Sequence, residues 1–158
     1  WENRVVVDTF LVEDPDYAGR PDSERLCDVS GAISNVILGN LRVEALLIHG
    51  RRRRGPITIR RIPTRVAIDN FSSESFTILE VFADDCQGLL YFIAKAIFEI
   101  KLSVHTAKIS THMDQIVDVF YVTDLNGKKM SDPSQNADIR AHLIQTIDRF
   151  LEYSRTQG

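Results

Sequence analysis

The clearest pattern of hydrophobic and polar positions lies in the middle of the chain. Apolar residues recur there with the three- and four-residue spacing of an amphipathic helix. They are Leu89, Phe92, Ile93, Ala96, Ile97 and Ile100. Gly88 stands directly before the first of them. The pattern predicts a helix that starts beside Gly88 and turns one face toward a core.

Strand patterns flank this helix. The stretch 76–83 is rich in β-forming residues and apolar on both faces, which is typical of a central strand. Further strands are predicted near 103–110 and at 116–123, with turns at 112–114 and 126–127. A second helix is expected from 132–133 onward. Its apolar face comprises Ile139, Leu143, Ile147, Phe150 and Leu151.

Two acidic residues, Asp8 and Asp118, interrupt otherwise apolar strands. A carboxylate inside a core is costly unless it is paired. Alternation along the strand places Asp118 on the same side as Ile116, Phe120 and Val122. We therefore expect this side to be the helix-free face of the sheet, where solvent or a second unit could meet the carboxylate.

The amino-terminal third repeats part of this plan. Residues 7–14 match residues 117–124 at a constant offset of 110, with five of the eight positions identical. A helix is expected to start near Asp22, to carry Leu26, Val29, Ile33, Val36 and Ile37 on one side, and to end at Gly39-Asn40. We therefore divide the chain into a truncated first unit (1–40), a linker (41–62) and a complete unit (63–158).

Charge is distributed unevenly. The chain has a net charge of −3, but eight arginines and a single acid lie between Arg42 and Arg65, so this segment carries +7 and the remainder −10. The Arg51–Arg54 run could bind nucleic-acid phosphates. The segment lacks interleaved aromatic residues for base stacking. We favour a solvated linker that docks on an acidic surface of a neighbouring domain, and we expect no nucleic acid as a partner.

Composition excludes several classes of protein. The 158 residues are 44% hydrophobic and 26% charged, which is normal for a globular chain. No apolar run approaches the ~20 residues that span a bilayer, and no signal peptide is evident. Cys27, Cys86 and the four histidines have no metal-ligand spacing. We expect a cytoplasmic fragment of a longer protein, without membrane contact, metal or cofactor.

The turn at 85–90 is the best candidate for binding a small molecule. Gly88 would let the backbone approach a ligand closely, and the start of a helix leaves amide N–H groups unpaired. Those amides and the helix dipole favour an anionic group such as a carboxylate. Asp85 could hold an ammonium group. Alternatively, Gly88 only permits close packing, and Asp85 only caps the helix.

Two segments resemble ACT domains, which are small regulatory modules that usually bind an amino acid. The residues are Asp85-Cys86-Gln87-Gly88-Leu89-Leu90, and Leu102-Ser103-Val104-His105-Thr106-Ala107-Lys108-Ile109 followed by the strand 117–124. They look most similar to the carboxy-terminal ACT pair of the bacterial uridylyltransferase/uridylyl-removing enzymes that act on signal protein PII. The family usually has Arg and Pro where Cys86 and Gln87 stand, and often Asn in place of Ser103.

The resemblance implies an α+β, ferredoxin-like sandwich: an antiparallel four-stranded sheet with two helices on one face. The usual fold ends on a fourth strand beside the first, but nothing strand-like follows Phe150. The alternating stretch 64–70 precedes 76–83 across a serine-rich turn. We expect these two stretches to form a hairpin that fills the fourth-strand position, with the element order ββαββα.

The resemblance also implies a function and a site. An amino acid, with glutamine expected, would bind Asp85, Cys86, Gln87, Gly88, Leu89, Ser103 and His105. It would thereby regulate the catalytic domains of a longer enzyme. We also expect this module to form a homodimer. No nucleophile elbow, P-loop or dinucleotide motif occurs here, so we expect no catalysis by this chain. For His105, a structural role is the other interpretation.

Two other classes of function remain open. An RNA-recognition module shares the βαββαβ topology, but Asp118 stands where a stacking surface is needed. A ligand-free ACT module that serves only dimerisation or architecture is the main alternative.

Overall fold

The computed structural model describes residue 19 and residues 21–49, 62–112 and 115–156. The chain divides into two compact units, Trp1–Gly50 and Arg51–Gly158. The repeat predicted at 7–14 and the Arg51–Arg54 run lie outside the described residues.

Two helices make up the described part of the first unit. Helix α1 (Ser23–Ile37) begins after Asp22, whose carboxylate accepts a hydrogen bond of 2.8 Å from the Arg25 amide. It ends where Gly39 adopts a left-handed φ of 76°, a conformation that suits glycine at the end of a helix. Both predicted ends are confirmed. No residue of α1 is buried, and Leu26, Ile33 and Ile37 on its apolar side are more than half exposed.

A second helix, α2 (Val43–His49), follows α1. It occupies seven residues of the stretch 41–62 that the sequence analysis assigns to a linker. The sequence analysis did not predict this helix, and the division into units stays a prediction. Alanine, leucine and glutamate, which are good helix formers, account for four of the seven positions.

The second unit has the element order ββαβββα. Its elements are β1 (Arg65–Asp69), β2 (Thr77–Asp84), α3 (Leu89–Glu99), β3 (Leu102–Lys108), β4 (Thr111–His112), β5 (Gln115–Asp124) and α4 (Pro133–Thr156). The strands form one antiparallel sheet in the order β1-β2-β5-β3, and the two-residue β4 pairs with the start of β5. The predicted α+β fold with a four-stranded antiparallel sheet is confirmed, and β4 is a small addition to it.

The hairpin predicted from 64–70 is also present. Strand β1 pairs with β2, with Val66 opposite Val81 and Ile68 opposite Leu79. Val66 is buried and belongs to the core. The first strand of this unit therefore occupies the edge beside β2 that a strand after the last helix would otherwise fill.

Both helices cover the same face of the sheet. Leu79, Val81, Phe120 and Val122 project from the central strands into one cluster, which the helices complete. The helical members are Leu89, Ile93, Ala96, Ile97, Ile139, Leu143, Ile147 and Leu151. The apolar stripes predicted for the two helices are thus the sides that pack on the sheet.

Candidate functional site

The turn between β2 and α3 has the backbone that its glycine predicts. Gly88 is the N-cap of α3, with φ 89° and ψ −3°, in the left-handed region that side chains other than glycine disfavour. Gly88, the N-cap residue, has no side chain that could cap the helix. The interpretation of Asp85 as a helix cap stays a prediction. The first turn of α3 also has no acidic residue, so no carboxylate of that turn offsets the positive end of the helix dipole.

The turn has a buried side and an exposed side. Cys86 and Leu89 are 9% and 2% exposed and belong to the hydrophobic core. Asp85 and Gln87 are exposed, and Gly88 is half-buried. Of the turn residues predicted to bind the ligand (85–89), Asp85 and Gln87 therefore present side chains to solvent, and Gly88 presents backbone.

Ser103 and His105 lie far from this turn. The turn follows Asp84, which is opposite Gln115, whereas Ser103 is opposite Thr123. Those two positions on β5 are eight residues apart, which corresponds to roughly 26 Å along a strand. The structure therefore separates the predicted site residues into two groups at opposite ends of the sheet. A small molecule cannot touch both groups of one chain.

His105 is held by local contacts. Its Nε2 lies 2.9 Å from the Thr123 hydroxyl, and its ring centroid lies 4.9 Å from that of Phe76. The Thr123 hydroxyl donates its single proton to the Asp124 carbonyl at 2.9 Å. The imidazole must therefore donate to Thr123, which fixes the proton on Nε2. These partners favour the structural interpretation of His105.

Asp118 does not lie on the helix-free face. It is 1% exposed and stands opposite Val81, between Ile116 and Phe120, all three of which belong to the core beneath the helices. The prediction for Asp118 is therefore wrong. The apolar residues at alternate positions indicate the face beneath the helices, which is where Asp118 lies. The expected cost of burying a carboxylate indicated the helix-free face instead.

The environment of Asp118 connects it with the candidate turn. Its Oδ1 accepts a hydrogen bond of 3.3 Å from the Ser110 amide. Burial raises the pKa of Asp118; the Ser110 bond opposes this shift, and the negative charge of Asp85 adds to it. Asp85 and Asp118 thus interact across the turn. Sequence reasoning noted both residues but did not bring them together.

An ion pair secures the same end of the sheet. Arg155, in the last turn of α4, donates a 2.9 Å hydrogen bond to Asp84. The other oxygen of Asp84 accepts from the Ile62 amide at 3.2 Å. The only available signal in the sequence was a cation in the last turn of a helix. Because 71 residues separate the two partners, their pairing follows from the tertiary structure.

Two cavities lie elsewhere in this unit. The first, about 580 Å³, lies at the opposite end of the sheet and is lined by Asn70, Lys129 and Arg140, among others. The second, about 480 Å³, is a groove on the outer side of α3 and α4 that includes Phe92 and Phe150. No residue of 85–89 lines either of them. Within the described ranges there is also no cluster of potential metal ligands and no helix that could cross a membrane.

Comparisons with known proteins agree on one kind of module. Residues 65–154 match the model of a family described as "ACR9-like, ACT-like domain". The bifunctional uridylyltransferase/uridylyl-removing enzyme of Azospirillum brasilense is 34% identical over 151 residues, which is 92% of this chain and 16% of that enzyme. The enzyme of the same name from Rhodospirillum rubrum is 30% identical over an alignment of 161 positions, which covers 96% of this chain and 17% of that enzyme.

A third relative, from Novosphingobium aromaticivorans, has the same printed name and is 33% identical over 151 residues. This chain covers only about one sixth of the length of these relatives. No solved structure matches it.

Proposed function

This chain belongs to the family of ACT-like domains, and from that membership we propose that it senses an amino acid, with glutamine as the effector. As an ACT region it is a regulatory, non-catalytic module. We further propose that it serves a longer uridylyltransferase/uridylyl-removing enzyme, in which ligand binding shifts the balance between the two activities. The catalytic domains of that enzyme would then be its partners in the same chain.

The observation that carries the proposal is the start of α3. A helix that begins at a left-handed glycine and has no acidic residue in its first turn favours the carboxylate of an incoming ligand. Asp85 is exposed beside it and carries the charge that an ammonium group requires. One turn thus offers complementary groups for both ends of a zwitterion.

The polar side of the turn would provide specificity. Gln87 is exposed on the same turn, and its amide can both donate to and accept from a ligand side-chain amide. Cys86 and Leu89 would act indirectly, because they anchor the turn in the core.

A homodimer would bring the separated groups together. Strand β3 is an edge of the sheet, and after Leu102 it is largely exposed. Exposed strand edges are able to pair with other chains. An antiparallel pairing of two β3 strands would bring the partner's Ser103 toward the sheet end that holds the 85–89 turn of the first copy. We propose this arrangement for the complete site.

Regulation then requires only differential affinity. A ligand that contacts the turn of one copy and the β3 edge of the other binds the paired arrangement better than the separated one. It shifts the equilibrium toward the paired arrangement by the free energy of that difference.

One observation favours the alternative of a ligand-free scaffold. Cys86 and Leu89 are packed in the core, and the two cavities described above lie away from the turn. Under this alternative, β3 pairing remains, but no amino acid binds.

Isothermal titration calorimetry of the chain with glutamine and a panel of other amino acids distinguishes the two proposals. We expect saturable heat with glutamine that is lost in Gly88→Ala. Gly127→Ala is the matched control, because Gly127 also has a left-handed φ, of 79°, and a Cβ there would meet no atom within 4 Å. Both variants therefore incur the same kind of backbone strain, but only Gly88→Ala alters the 85–90 turn.

No heat with any amino acid from a folded chain would leave the scaffold as the function. Equal loss of heat in both glycine variants would also contradict a site at Gly88. Light scattering during size exclusion tests the dimer separately, and a monomer at high concentration with and without glutamine would exclude β3 pairing.

A further inference from the structure

One carboxylate joins three segments of the second unit beside the candidate turn. Asp84 is the last residue of β2 and stands directly before Asp85. Its Oδ2 accepts the 2.9 Å hydrogen bond from Arg155, and its Oδ1 accepts the 3.2 Å hydrogen bond from the Ile62 amide. The end of α4, the start of the turn and the segment that enters β1 are therefore held by the two oxygens of a single side chain.

The segment that enters β1, residues 62–65, has further contacts, and we call it the entry segment. The Thr64 hydroxyl donates to Asp148 on α4 at 2.5 Å. The Arg65 guanidinium lies 3.7 Å from the centre of the Phe82 ring on β2. The chain before residue 62 leads back to the first unit. The entry segment is therefore the point at which the covalent connection to the first unit reaches the sheet.

The last two turns of α4 also contact the residues around the start of α3. The Cys86 thiol lies 3.9 Å from the Ser154 hydroxyl. The rings of Phe92 and Phe150 are stacked, with their centroids 3.9 Å apart. Arg155 thus reaches Asp84 from a helix that is itself packed against the turn, and a donor held in this way loses little freedom when it forms its hydrogen bond.

The two bonds restrict where the Asp84 carboxylate can lie. The side chains of Arg155 and Asp84 are 34% and 23% exposed, so solvent screens the ion pair only in part. Because Asp84 is covalently joined to Asp85, a displacement of the turn moves the carboxylate and with it the acceptor of the Ile62 amide. Such chains of hydrogen bonds can carry energetic coupling between two sites.

From these contacts we infer that the module transmits ligand binding through the entry segment. Asp84 couples the turn to Ile62, and Arg155 is a positioning residue that fixes Asp84. The inference rests on the proposed glutamine site, because a ligand at the turn provides the signal. The coupling is reciprocal, so holding the entry segment in its place also strengthens binding at the turn.

Amide NMR of the isotope-labelled full chain tests the inference in two ways. A glutamine titration shows whether shifts in the 85–90 turn are accompanied by a shift at Ile62. Hydrogen exchange of the Ile62 amide in the absence of ligand reports on its bond to Asp84 alone. The second measurement does not depend on whether glutamine binds.

We expect glutamine to shift the Ile62 amide together with the amides of the turn. Arg155→Met should reduce the shift at Ile62 and weaken glutamine binding. It should also accelerate exchange of the Ile62 amide by about two- to fivefold, as the loss of a partly exposed ion pair implies. Arg155→Lys should restore most of each effect, because the contact is a single hydrogen bond with charge. Arg149→Met is the matched control, since Arg149 is exposed on the same helix and lines the outer groove instead.

The inference is overturned if glutamine shifts the 85–90 amides and leaves Ile62 unchanged. It is equally overturned if Arg155→Met does not alter exchange of the Ile62 amide, or if Arg149→Met alters it as much. If glutamine shifts no amide of the folded chain, the proposed glutamine site fails. Faster exchange of Ile62 in Arg155→Met, reversed in Arg155→Lys, would even then support the link from Arg155 to the entry segment.

Discussion

A single buried carboxylate connects the core with the candidate site. Asp118 lies beneath the helices with only one described hydrogen bond, from the Ser110 amide. Its raised pKa means that the folded protein holds this proton more tightly than the unfolded chain does. Asp118 therefore contributes most to the free energy of unfolding at a pH below the ordinary carboxyl pKa. This contribution decreases as pH rises through the raised pKa and stays low at higher pH.

Asp118→Asn should consequently stabilise the protein at neutral pH. The amide oxygen can still accept from Ser110, but it carries no charge to desolvate. Thermal unfolding of both proteins between about pH 3 and pH 8 checks this. The melting temperature of the variant should rise relative to that of the natural protein as pH rises. A difference in melting temperature that does not change with pH would show that the charge of Asp118 is not the cause.

Asp69 provides a contrast with the opposite sign. Hydrogen bonds from Ser72 and Phe71 lower the pKa of Asp69. Its contribution to the free energy of unfolding is therefore present at neutral pH and is lost as pH falls through the lowered pKa. Asp69→Asn should therefore lower the melting temperature at pH 7 and leave it nearly unchanged in acid. A gain in melting temperature at pH 7 would contradict this assignment.

At the scale of elements, the sheet and its two helices depend on one shared core. Leu143 is fully buried where α4 meets the sheet, while Tyr153 on the same helix is 58% exposed. Leu143→Ala should lower the free energy of unfolding by about 2–5 kcal/mol, because it leaves a cavity. Tyr153→Ala should change it by only about 0.5 kcal/mol. Chemical denaturation measures both, and similar costs would contradict the packing of α4.

Most elements of the second unit could be predicted because their signals are local. Glycine and asparagine mark the turns, and apolar spacing marks α3 and α4. Strand β1 was predicted from a different argument, the need to fill a sheet edge. Helix α2 was missed because the arginine-rich sequence around it suggested a linker, although its own residues are good helix formers.

The candidate site was harder to predict than the fold. The glycine at the start of α3 was evident from the sequence. The distance between the turn and Ser103, the ion pair of Asp84 with Arg155, and the position of Asp118 all depend on which strands are neighbours. Such contacts join residues far apart in sequence, and no local pattern encodes them.

At the scale of the whole molecule, helix α1 of the first unit and helix α3 of the second differ in how many of their side chains are buried. No residue of α1 is buried, and Leu26, Ile33 and Ile37 are more than half exposed. In α3, by contrast, Leu89, Ile93, Ala96 and Ile97 are buried. Local opening requires little free energy where few apolar contacts are lost.

Hydrogen exchange of the full chain should therefore show faster exchange in α1 than in α3. Amide exchange read by mass spectrometry or NMR compares both helices in one sample, so each serves as a control for the other. Protection of α1 equal to that of α3 would mean that its apolar side is covered in solution.

The central claim is that glutamine binds at the start of α3. An NMR titration of the isotope-labelled chain with glutamine tests it most directly, because each amide reports its own surroundings. We predict saturable shifts at Gly88, Leu89 and Leu90, and none at Asn136 and Arg140 in the distant cavity. A folded chain whose 85–90 amides stay unchanged at saturating glutamine would contradict the account.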